Sequence, residues 1–187
     1  NAAPPPPPGP GALVAWPAGV LTVDQGAVLD VTAAGGGAAS PFVLTATGLA
    51  GAGNVRLGGN ELRVTQADEN RFDGAITGSG DFTKRGSGRL VLTGASTYVG
   101  TTRVSGPLRI DADANLGSTA SPLHLDDAVL ELADDVQLQR RLRIDSASTI
   151  DTDRHMLSLD GPVEGAADLG KRGTGELRIN GARQFSG

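Results

Sequence analysis

Cysteine is absent from this chain of 187 residues, which excludes disulfides, thiolate zinc sites and thiol catalysis together. In an extracellular setting such a chain has to draw its stability from backbone ladders and stacking, and that requires a continuous core. Large side chains are scarce as well, with one Trp, one Tyr, one Met and four Phe. No long Lys/Arg-rich stretch occurs, and 16 basic residues against 21 acidic ones leave a formal net charge of -5. With no basic stretch to follow a phosphate backbone, nucleic acid is not an expected partner. No apolar run approaches the ~20 residues of a bilayer-spanning helix, so no direct membrane insertion of this segment is expected. Nor does the N-terminus show the basic, apolar and small-residue succession of a secretory leader.

What the chain has in abundance is glycine, 28 residues, with 11 prolines. Each glycine costs roughly 1 kcal/mol in a helix interior. Here the glycines fall every few residues between short apolar runs, as turns between short strands do. Residues 1–11, NAAPPPPPGPG, hold five consecutive prolines at Pro4 to Pro8 and read as an extended polyproline linker. The remainder, residues 12–187, reads as one unit.

From Leu13 onward apolar residues recur at two-residue spacing, as in Leu62-Val64, Leu90-Leu92, Leu123-Leu125, Leu142-Ile144 and Leu177-Ile179. That is the period of a strand with one face buried. Short strands at this spacing fit either a sandwich or a solenoid, and an internal repeat decides between them. Residues 72–100, FDGAITGSGDFTKRGSGRLVLTGASTYVG, return 87 residues later at 159–187 as LDGPVEGAADLGKRGTGELRINGARQFSG, with 12 of 29 positions identical. Stacked rungs select such likeness, whereas the strands of a sandwich have different neighbours. With rungs of ~20 to 22 residues, the repeat spacing is about four rungs and the chain past the linker roughly eight.

Glycines shared by the two copies lie between strand segments: Gly74, Gly78, Gly86, Gly88, Gly94 and Gly100 in the first, and Gly161, Gly165, Gly173, Gly175 and Gly181 in the second. Corners that need positive φ or close backbone approach suit them. The pair Lys84-Arg85, returning as Lys171-Arg172, is expected to keep these corners solvated and to block edge pairing.

The runs Leu49 to Gln66 and Phe72 to Ile110 resemble the passenger-associated repeat of bacterial autotransporters, the type V secreted proteins. The likeness rests on Phe-x-Gly-x-Ile-x-Gly-Ser-Gly from Phe72, Lys-x-Gly-x-Gly-x-Leu-x-Leu-Thr-Gly from Lys84, and the Thr-Tyr-x-Gly-x-Thr-x-Val strand from Thr97. The second copy departs from it at Ala166-Ala167 and at Phe185, and it stops before the last strand. The resemblance implies an all-β, right-handed parallel β-helix, exported across the outer membrane through its own barrel domain and displayed at the bacterial surface or secreted. Without that barrel, the chain is expected to be a fragment or processed product of a longer passenger. No cofactor is implied.

Chemistry-bearing groups are thin. His155 stands near Asp151 and Asp153, with Ser146, Ser148 and Ser158 close in sequence, but no Gly-x-Ser-x-Gly elbow occurs. His124, between Leu123 and Leu125, is expected to point away from the core. The acidic pairs Asp126-Asp127 and Asp134-Asp135 lack the Gly-Gly-x-Gly-x-Asp calcium pattern and read as solvated corners. No catalytic, cofactor or metal residue is assigned. Arg140, Arg141 and Arg143, with Asp111, Asp113, Asp145, Asp151 and Asp153, are expected to face outward, where such charge first of all keeps a solenoid soluble; the alternative is that they form a partner-binding surface. The expected role is therefore a non-enzymatic stalk acting in adhesion or in binding a host serum protein or complement regulator. One alternative is the stalk of a surface protease or esterase whose catalytic domain lies elsewhere. Another is a free polysaccharide lyase, for which the aromatic sugar platforms are missing.

Overall fold

The alternating segments become short parallel strands in the computed structural model, which describes residues 14–15, 19–33 and 41–185. The proline-rich linker and most of the glycine-rich stretch 33–41 lie outside the described residues. Most turns of the chain lay down one strand on each of three faces, and each strand pairs with its counterpart about one turn away. On the first face Leu44 pairs with Leu62, Leu62 with Phe82, Phe82 with Thr102, Thr102 with Leu123, Leu123 with Leu142, and Leu142 with Val163. Every pairing among the described residues is parallel, and the result is an all-β solenoid of about 7 turns, close to the eight expected.

The first and second faces merge into one 15-stranded sheet, because the long strands Thr102–Ile110 and Leu123–Leu132 run through the corner between them. A register shift between Val104 and Gly106 lets them do so. The third face is split into two 3-stranded sheets: Val28–Asp30, Asn54–Gly58 and Ile76–Gly78, then Val136–Leu138, Leu157–Leu159 and Leu177–Ile179. Between them, residues 96–99 stack by backbone bonds from Thr97 N to Ile76 O and Val99 N to Gly78 O. The following turn carries a short 3-10 helix, Asp113–Leu116, in place of a strand.

Inward residues form columns along the axis, so the core is continuous from Leu44 to Val163. Close stacking leaves no room for a side chain at several corners. A Cβ on Gly86, whose φ is +87°, would lie 2.1 Å from Gln66 O, and one on Gly74 would lie 1.7 Å from Gly53 O.

The repeat does not coincide with whole turns. Phe82 lies on the first face, and four turns along its column stands Val163, but the residue matching Phe82 in the second copy is Leu169, on the second face. The spacing of the copies is thus four turns and one further face. The repeated unit is a succession of strand and corner, not a rung, so the copies do not stack on like faces as expected.

Candidate partner-binding surface

The three arginines expected to share one surface are divided by the fold. Arg140 is 2% exposed. Its Nε donates to Asp113 Oδ1 at 2.5 Å, Nη1 to Leu116 O and Ser121 O at 2.6 and 3.2 Å, and Nη2 to Asp113 O and Gly117 O at 2.9 and 3.1 Å. The 3-10 turn offers a ring of carbonyls with no strand to receive them, and the planar guanidinium fork satisfies four of them at once. Arg140 is therefore an internal staple and not a recognition residue, and its Asp113 partner is drawn inward with it. A two-residue alternation cannot reveal this, because the inward partner of Arg140 exists only once the chain has left the strand pattern at 113–121.

Arg141 and Arg143 do face solvent, with side chains 59% and 56% exposed. Arg141 reaches Glu164 at 3.5 Å, and Arg143 Nε donates to Asp145 Oδ1 at 2.6 Å. Asp145 Oδ2 also pairs with His124 Nδ1 at 2.9 Å. Burial works against ionisation of Asp145, but the bonds from His124 and Arg143 outweigh it and hold its carboxyl below the usual carboxylate range. His124 points outward as expected, though this pairing leaves its side chain only 19% exposed. In register along the first face, the outward positions run Arg63, Thr83, Arg103, His124, Arg143 and Glu164. Glu61, Asp81 and Asp145 pair with Arg63, Arg103 and Arg143 from alongside this ladder.

Lys84 departs from expectation in the opposite sense to a surface lysine. It stands in an inward column between Val64 and Val104 and is 0% exposed. Its Nζ donates to Gly86 O at 2.8 Å and Ser105 O at 3.3 Å, at the corner where the register shifts. Burial lowers its pKa to about 8, against a smaller opposing pull from Glu131. Thr102, in the next inward column, meets the buried Tyr98 hydroxyl at 2.5 Å, and burial raises the Tyr98 pKa above the ordinary phenol value. Neither Lys84 nor Tyr98 reads as internal polar chemistry from spacing alone.

The serines near His155 find other partners. Ser146 Oγ donates to Asp126 Oδ1, Ser148 Oγ to Ser146 O and Ser158 Oγ to Asp160 Oδ1. Among the described residues no helix is long and apolar enough to cross a membrane.

Fold and surface together define a parallel β-helical segment with charged outer ladders. The passenger-associated-transport-repeat family matches residues 82–106, within the stretch that carries the motif. The adhesin BmaC autotransporter of Brucella suis biovar 1 (strain 1330) is 35% identical over 112 residues, which is 59% of this chain and 3% of that protein. No solved structure matches the chain. Residues 82–106 thus carry a passenger-associated transport repeat, and the chain is similar to a segment of an autotransporter passenger, a class of protein exported across the outer membrane to the cell surface.

Proposed function

We propose that this segment is a non-enzymatic stalk that displays the passenger at the bacterial surface and takes part in adhesion or in binding a host serum protein or complement regulator. The observation that carries this reading is the outer ladder of the first face, where Arg143 stands more than half exposed on a strand locked in register by its neighbours, with the equally exposed Arg141 just before that strand. A rigid row of arginines flanked by carboxylates sets the position of a partner without any movement of the scaffold. Similarity to an autotransporter named as an adhesin supports the same reading.

The test is retention of host plasma and epithelial surface proteins on the immobilised, folded chain, with mass spectrometry of what is held. The reading predicts one saturable protein, lost when Arg141 and Arg143 are both changed to Glu. Retention of nothing by a folded chain would make this a purely structural stalk and place the activity elsewhere in the parent protein.

A further inference from the structure

We infer that Asp134, Asp135 and His155 form a site for a divalent transition-metal ion of the zinc type, clipping two successive turns together at the corner between the second and third faces. The strands Val136–Leu138 and Leu157–Leu159 pair with Val136 opposite Leu157. Counting back along both strands sets Asp135 beside Met156 and Asp134 beside His155. Backbone bonds fix the carboxylates in place: Met156 N donates to Asp135 Oδ1 at 2.8 Å, and Asp135 N donates to Asp134 Oδ1 at 2.8 Å.

The histidine distinguishes this corner from an ordinary pair of solvated acids. Its side chain is only 14% exposed, and Nδ1 lies 3.7 Å from Asp135 Oδ1, too far for a hydrogen bond. One ligand atom from each of the three residues lies within 4.8 Å of the others. Ligand atoms ~2.1 Å from a tetrahedral ion stand roughly 3.4 Å apart, so a modest closure brings this set onto a metal. One imidazole nitrogen with two carboxylates suits zinc, cobalt or nickel, whereas calcium takes six to eight oxygens and finds too few here. The carboxylates face solvent, so the remaining coordination positions are open to water or to a side chain of a partner.

The experiment is calorimetric titration of the whole 187-residue chain with zinc, followed by thermal unfolding at each zinc concentration. One saturable zinc per chain is expected, with a melting temperature that rises with zinc and returns on chelation. Asp134→Asn, which keeps the bond from Asp135 N, and His155→Ala should each weaken binding roughly tenfold or more. His124→Ala, at the other histidine, should leave it unchanged, and calcium should not substitute. Circular dichroism of each variant separates loss of the site from loss of the fold, and Asp134→Asn decides if His155→Ala fails to fold. Absence of saturable uptake, or uptake that survives both Asp134→Asn and His155→Ala, would overturn the site.

Discussion

Lys84 and Lys171 occupy the same place in the two copies of the repeat, and each sends its Nζ to the carbonyl two residues on, Gly86 O at 2.8 Å and Gly173 O at 2.6 Å. Both glycines have positive φ, +87° and +81°. Both lysines stand in inward columns, Lys84 between Val64 and Val104 and Lys171 beyond Ile150. Yet Lys84 is buried and Lys171 exposed, because a further strand stacks over the first and none stacks over the second among the described residues. The corner and its hydrogen bond belong to the local unit. Burial belongs to the stack, which explains why one lysine of the pair lies in the core.

The junction between the copies gives the largest expected effect. Arg140→Ala strips the 3-10 turn of its donors and leaves Asp113 buried without its cation, at a cost of about 3–5 kcal/mol in chemical denaturation. Arg143→Ala, at an exposed pair, should cost about 0–1 kcal/mol. Within the copies, Leu90 is 0% exposed whereas its counterpart Leu177 is half-buried. Leu90→Ala should therefore cost about 2–5 kcal/mol, and Leu177→Ala only ~1 kcal/mol. Equal costs would mean that the last turn is packed like the middle of the rod.

The lysines sharpen the comparison through pH. With Lys84 at about 8 in the folded chain and an ordinary value of 10.5, the unfolded chain binds more protons between those limits. Stability should then rise with pH above about 8, by no more than about 1.4 kcal/mol per pH unit. The rise should end near 10.0, the ordinary value of Tyr98, because burial raises that phenol and above this value the unfolded chain gives up its proton before the folded one. Lys84→Met should abolish the rise, and Lys171→Met should leave it. Tyr98→Phe, which gives the first copy the aromatic residue of the second, removes one bond to Thr102 and should cost about 1 kcal/mol in thermal unfolding.

Much of the fold was legible because both of its causes are local. Alternation at Leu62-Val64 or Leu142-Ile144 specifies strands with one buried face, and the glycines between them specify corners too tight for a Cβ. The surface was less legible. Arg141 and Arg143 lie outside as alternation predicts, but Arg140 follows a corner where alternation has no authority. His155 likewise looked like a neighbour of Asp151 and Asp153, and it meets Asp134 and Asp135 only because the next turn passes over them.

Periodicity and glycine placement were enough to dictate short half-buried strands joined by tight corners, since each acts through a residue and its near neighbours, and the internal repeat chose a stacked β-fold over a sandwich. Which face each copy occupies, which of two equivalent lysines is desolvated, and which arginine is withdrawn from solvent depend on groups about one turn away along the chain. Those partners are set by the winding of the solenoid, whose turn length the 3-10 excursion and the register shift at Val104 alter locally, so only the folded stack could assign them.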